Sequence, residues 1–196
     1  MTSVTAAIAR DLASSGALRA SINLGNPVLA RGTPTAPTGV TVDLAREISA
    51  RLDVPVEFVC FDAARKSYEA MQAGQADICF LAIEPAREAE VAFTAPYVVI
   101  EVVRGEEGAD EFCAQGLEVA AGIRQPMTEF VETHPNVRLI EARFMQIQQA
   151  VGTTTTRRPE TVQFLRDIVE ELKASGFVAD ALRRANQSGA TIAPPG

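Results

Sequence analysis

The stretch GQADICFLAIEPAREAEVAFTAPY, residues 74–97, decides the reading of this chain. It holds a short apolar strand from Asp77 to Ile83, a turn with one arginine, Arg87, and then Phe93-Thr94-Ala95-Pro96-Tyr97. An arginine just beyond the end of a buried strand can grip a carboxylate with two parallel hydrogen bonds. Spacing alone also allows a plain surface arginine paired with Glu84 or Glu88.

Upstream, Leu18 to Leu24 alternates apolar and polar residues, which predicts a strand. Residues 25–39 are crowded with Gly, Pro and Asn and predict a loop. Val42 to Leu52 predicts a helix with Leu44, Ala45, Ile48 and Leu52 on one face. Thr41 suits its N-cap, and Asp43 suits the positive end of its dipole. Pro55 to Phe61 predicts a second strand, and Ala64 to Ala73 a second helix stopped by Gly74. With Asp77 to Ile83 the order becomes β-α-β-α-β, so the fold class is α/β with a parallel sheet. Ligands of such sheets bind beyond the carboxyl ends of the strands. Asn23 to Asn26, Phe61-Asp62 and Glu84 to Arg87 should therefore converge on one edge.

Downstream, Pro96 to Val103 is a further extended run, followed by an acidic break over residues 104–111. Leu117 to Ile123 predicts a strand, Met127 to Thr133 a short helix, and Val137 to Phe144 a strand. Arg143 to Val151 is extended, with Gln146 and Gln148 on one side at period two. Pro159 opens a helix at its first position, with Val162, Leu165, Ile168, Val169 and Leu172 on one face. Ser175-Gly176 ends it, Phe177 to Ala185 makes a last helical stretch, and the tail after Asn186 is expected to fray.

With 196 residues the chain can form one large domain or two small ones. Its net charge of −7 argues against nucleic-acid and anionic-membrane partners, which attract basic patches. No run approaches the roughly 20 apolar residues of a membrane span. The N-terminus lacks the basic start and continuous apolar core of a secretory signal, since Arg10 and Asp11 interrupt it. A cytoplasmic protein is expected as the sequence stands, and a periplasmic one if a leader has been removed. Cys60, Cys79 and Cys113 are read as buried small hydrophobes. With one histidine and no metal-ligand spacing, neither a metal nor a cofactor is expected.

The segment 74–97 resembles the signature of the family 3 extracytoplasmic solute-binding proteins, the polar amino-acid receptors of ABC transporters. Thr38-Gly39-Val40-Thr41-Val42-Asp43-Leu44 is similar to the family's Gly-Phe-x-x-Asp-Leu opening of its first helix. Lys173-Ala174-Ser175-Gly176-Phe177 is similar to its closing Gly-Phe element. The three motifs come in the family's order at compatible spacing, and the likeness covers most of residues 17–183. It implies a periplasmic-binding-protein type 2 fold with two α/β lobes, two crossover strands and a ligand between them. It also implies an ABC transporter permease as partner and an amino acid or other small carboxylate as ligand.

By that resemblance Arg87 holds the ligand's carboxylate. Phe80, Ala82 and Glu84 stand where the family often has hydroxyl residues. Asn23 stands where an acidic residue often receives the ligand amine, and Asn26 where an aromatic is frequent. Asn23 and Asn26 are pocket donors or simply turn residues. Phe61 and Phe80 line the pocket or belong to the core. Arg124 and Gln125 follow the strand 117–123 and face the cleft or solvent, and Gln148 reaches the cleft from the returning crossover or lies on an exposed edge.

The family's second lobe has too little chain here. From Val103 the sequence passes through the acidic break almost directly to Leu117, and a βαβ unit of roughly 30 residues has no counterpart. The expected layout is a main lobe of residues 1–99 plus 149–196 and a reduced lobe of residues 100–148. So small a unit should bury itself against the main lobe or in a homodimer. The function expected is solute binding, without catalysis. The alternatives are a dehydratase-like enzyme on the same scaffold, using Glu84 and Lys66 with Arg87 as anchor, or a remnant that no longer binds.

Overall fold

The structure, a computed structural model, describes residues 3–104, 121–135, 137–187 and 189–196. After helix α1 (Ser3–Leu12) the chain enters strand β1 (Leu18–Asn23). A hairpin of β2 (Arg31–Thr33) and β3 (Ala36–Thr38) leads into α2 (Val40–Leu52) and β4 (Val56–Phe61). Next come α3 (Ala64–Gln72), β5 (Ile78–Ala82), the single turn α4 (Pro85–Glu88) and the long strand β6 (Val91–Arg104). Further on lie β7 (Ala121–Ile123), α5 (Arg124–Thr133) and a second long strand, β8 (Ile140–Thr154). The chain closes with α6 (Pro159–Ala174), α7 (Phe177–Arg184) and β9 (Ala190–Ile192).

One sheet organises these elements in the order β4-β1-β5-β8-β6-β7, with β9 also paired to β6. β1 runs parallel to β4 and β5, as the β-α-β-α-β pattern requires. β8 then pairs antiparallel with both β5 and β6. With 14 and 15 residues, β6 and β8 exceed ordinary strands and run on the order of 45 Å. β7 pairs with the far end of β6, Val102 opposite Ile123, and α5 packs beside it. Register shifts flank Pro96 in β6, where the missing N–H is best tolerated.

Two cores lie on opposite faces of β5. Ile78 and Phe80 join a large cluster with α1, α2, α6 and α7. Cys79 and Leu81 join a small one with Met71, Ala76 and Val91 beneath α3. β5 is buried on both faces, which explains its unbroken apolar run. α6 lays Leu165, Ile168, Val169 and Leu172 on the large core. It ends where Gly176 takes φ 83°, a left-handed stop that glycine adopts without strain.

The structure corrects four expectations. The predicted loop 25–39 contains the β2–β3 hairpin, with Arg31 opposite Thr38. Thr41 does not cap α2: Gly39 holds that position, and Thr41 Oγ1 donates instead to Leu29 O at 3.2 Å. The tail does not fray, because β9 covers an edge of β6 that would otherwise leave its backbone groups unpaired, with Val98 opposite Ile192. Lys173 fixes the same tail: its buried ammonium donates to Pro96 O at 3.1 Å and Pro194 O at 2.8 Å. The predicted strand 137–144 begins later, since residues 137–139 precede an uninterrupted β8. The described part of the predicted strand 117–123 is β7, residues 121–123. Residues 117–120, and Cys113 with them, lie outside the described residues.

At the amino end of β5 sits an almost fully buried carboxylate, Asp77. Its Oδ1 accepts from Arg19 Nη2 at 2.8 Å and Arg157 Nη2 at 3.0 Å. Its Oδ2 accepts from the Arg19 backbone N–H at 2.9 Å and Nε at 3.0 Å. Its carbonyl accepts Thr153 Oγ1 at 2.8 Å. Removing a buried charge from such a set leaves its partners uncompensated. Asp77→Asn should lower unfolding free energy by about 3 kcal/mol, the low end for a buried pair because both guanidinium groups reach water. Urea denaturation measures it; a loss under about 1 kcal/mol would reduce the cluster to an ordinary surface pair.

Candidate functional site

The carboxyl ends of β1 and β5 meet the middle of β8, and a cavity of about 370 Å³ opens there. β1 supplies Asn23 and the loop after it Asn26 and Leu29. β5 and its turn supply Phe80, Ala82, Glu84 and Arg87, and β8 supplies Met145 to Gln149. Thr41 and Ala64, at the first turns of α2 and α3, complete the wall.

Local chemistry explains the placement of each group. Pro85 occupies the first position of α4 after an extended Glu84, so the chain turns sharply at the end of β5. That turn swings Arg87 back over the strand it has just left. Its Nη1 donates to Ala82 O at 3.1 Å and lies 3.2 Å from Glu84 Oε1. The guanidinium carbon sits 5.9 Å from the Tyr68 ring centroid, within reach of a cation–π contact. Only 15% of the Arg87 side chain is exposed, against 50% for Glu84. Nε and Nη2 make no hydrogen bond to the described residues.

Across the cavity, Asn23 Oδ1 accepts the Gly25 N–H at 2.9 Å, and Asn26 Oδ1 accepts the Val28 N–H at 3.2 Å. Gly25 is demanded by contact: a Cβ there would lie 2.0 Å from Asp62 O. The β1 loop is thereby pressed on the β4–α3 connection, which holds both asparagines beside the strand ends.

Seven of the sequence candidates therefore share one cavity: Asn23, Asn26, Phe80, Ala82, Glu84, Arg87 and Gln148. Two others, Phe61 and Arg124, do not join them. Phe61 sits opposite Asn23 on β4, one strand outward at the sheet edge, and does not line the cavity. Arg124 lies at the start of α5, where Nε donates to Glu101 Oε2 at 3.2 Å. β6 carries Glu101 on the side of β8 away from β5, so Arg124 is removed from the strand ends. Gln125 follows it in the same helical turn, and its side chain lies outside what the structure describes. The Glu84–Lys66 pair of the dehydratase reading does not form either, because Lys66 Nζ binds Asp62 at 2.7 Å and stays outside the cavity. Sequence reasoning missed Leu29, Thr41 and Met145. The first two lie next to the hairpin that was read as plain loop.

The chain matches the bacterial extracellular solute-binding proteins, family 3, over residues 23–186, and it belongs to that family. A search of the curated proteins finds no match. Among solved structures it is similar to the cysteine-binding protein from Campylobacter jejuni, with TM-score 0.70, 14% identity and coverage of 93% of this chain and 94% of that one. It is similar to a mutant of ArgBP from T. maritima, with TM-score 0.67, 17% identity and coverage of 92% and 100%. A third likeness is to an amino acid ABC transporter substrate-binding protein from Streptococcus pneumoniae bound to L-arginine, with TM-score 0.68, 16% identity and coverage of 89% and 96%. At these identities the likeness defines the fold, that of the type 2 periplasmic binding proteins.

Directly behind the cavity wall, burial pushes the Cys79 thiol up to about 12, while Arg87 pulls the other way. Burial also pushes the Tyr97 hydroxyl up. Both groups stay protonated in the fold but ionise in the unfolded chain. The Cys79 contribution is whole below the ordinary thiol value of 9.0 and is lost as pH rises from there towards about 12, and that of Tyr97 begins to be lost above the ordinary phenol value of 10.0. Stability followed by urea denaturation should thus fall over that window, and Cys79→Ser should flatten part of the fall. The Cys79 thiol should also resist alkylation at neutral pH until the protein unfolds. Rapid labelling of Cys79 in the native protein would contradict its burial.

Proposed function

We propose that this chain binds a small carboxylate-bearing solute in the cavity between β1, β5 and β8, with Arg87 as the anchor. The observation that carries the reading is the state of Arg87. It is largely buried at a strand end, its fork is held in place by Ala82 O and Tyr68, and Nε and Nη2 are left for a ligand. Such a prepared fork loses little conformational entropy when it grips two carboxylate oxygens. Glu84 is an exposed partner worth less than about 1 kcal/mol, so an incoming carboxylate can displace it.

Solute binding for transport agrees with the family, and proteins of this fold include one bound to L-arginine. The partner would be an ABC-type permease. In this reading residues 1–99 and 149–196 form the main lobe, and residues 100–148 a reduced lobe on the β6–β8 ribbon.

A thermal-shift and calorimetric screen with amino acids and small carboxylates tests the proposal. A solute at 100 times its dissociation constant should raise stability by roughly 2.7 kcal/mol. Arg87→Ala should weaken any such solute at least tenfold, about 1.4 kcal/mol. Arg87→Lys should recover only part of the loss, since an ammonium cannot make the paired contact. Binding untouched by Arg87→Ala would refute the anchor.

A further inference from the structure

Resting on the carboxylate reading above, we propose that the solute is an α-oxo or α-hydroxy acid rather than an α-amino acid, and that Asn23 sets this choice. An α-ammonium group brings three donors, no acceptor and a full positive charge. It needs an anion, or several free acceptors, close to the carboxylate that Arg87 holds. Among the described lining residues the one anion is Glu84. That carboxylate is half exposed and already faces Arg87 at 3.2 Å.

Asn23 and Asn26 supply the opposite chemistry. A backbone N–H needs an oxygen, so the bonds from Gly25 N and Val28 N fix which end of each amide is spoken for. The atoms left are the two Nδ2 groups, which are donors. No described residue accepts from either of them. Gln146 and Gln148 can turn either end towards a ligand and do not discriminate. Such donors, on the wall across the cavity from Arg87, favour an oxygen substituent that accepts hydrogen bonds, and they repel an ammonium.

Asn23→Asp isolates the effect. Oδ1 remains to accept the Gly25 N–H, and the amide nitrogen alone becomes a carboxylate oxygen. The experiment is calorimetry on the full chain with acids of matched carbon skeleton: pyruvate, lactate and alanine, then leucine and glutamate with their α-oxo and α-hydroxy analogues. In at least one set the oxo or hydroxy acid should bind at least tenfold tighter than the amino acid. Asn23→Asp should weaken that acid at least tenfold and strengthen the amino acid. If the variant does not fold by circular dichroism, Asn26→Asp takes its place, and the ranking in the native protein decides regardless. An amino acid that binds tightest and needs Arg87 would overturn this inference while leaving the carboxylate site intact. If none of the acids binds, or Arg87→Ala changes nothing, the site reading falls and this inference with it.

Discussion

The carboxylate of Asp77 is the constraint on which the rest depends. It lies at the amino end of β5, the strand whose other end carries the arginine turn. Arg19 brings β1 to it, and Thr153 and Arg157 bring the end of β8. Arg157 also donates to Asp11 O, which ties in α1. Three strands are thus aligned at one end by a single buried charge. The cavity forms where the same three strands finish or pass at the other end. A slip of one residue in β5 would exchange Phe80 for Cys79 between the two cores and turn the arginine turn away.

Arg87 is rigid because several weak holds act together. The strand end supplies a carbonyl, α3 supplies the face of Tyr68, and the short α4 fixes the backbone. None of these contacts uses both outer nitrogens of the fork. Its one carboxylate partner among the described residues is the half-exposed Glu84, so anion binding here is governed by competition with that side chain. The amide-rich wall opposite then decides what else the ligand must carry.

Much of this was legible in the chain. The β-α-β-α-β order follows from apolar runs broken at Gly74 and at the 25–39 loop. Asn23, Glu84 and Arg87 were placed at strand ends by that order alone. The hairpin β2–β3 was not legible, since Arg31-Gly32-Thr33 and Ala36-Pro37-Thr38 carry turn residues and almost no apolar alternation. β9 was hidden for another reason: Ala190 to Ile192 has little strand signal, and its pairing is granted by the open edge of β6. Arg124 looked like a cleft residue because a strand end precedes it. Which side of β8 that strand would occupy is a matter of sheet order, which spacing does not encode. The turn Asn23–Gly25 hinted at a bound amide oxygen, but only the fold places the freed nitrogen beside the cavity.

The central claim is that Arg87 receives a ligand carboxylate in the cavity between β1, β5 and β8. A crystal structure of the protein soaked or grown with the tightest acid from the binding screen tests it most directly. The account expects both carboxylate oxygens within about 3 Å of Arg87 Nε and Nη2, with Glu84 released to solvent. A ligand seated elsewhere, or one in the cavity with Arg87 still paired to Glu84 and out of reach, would contradict it.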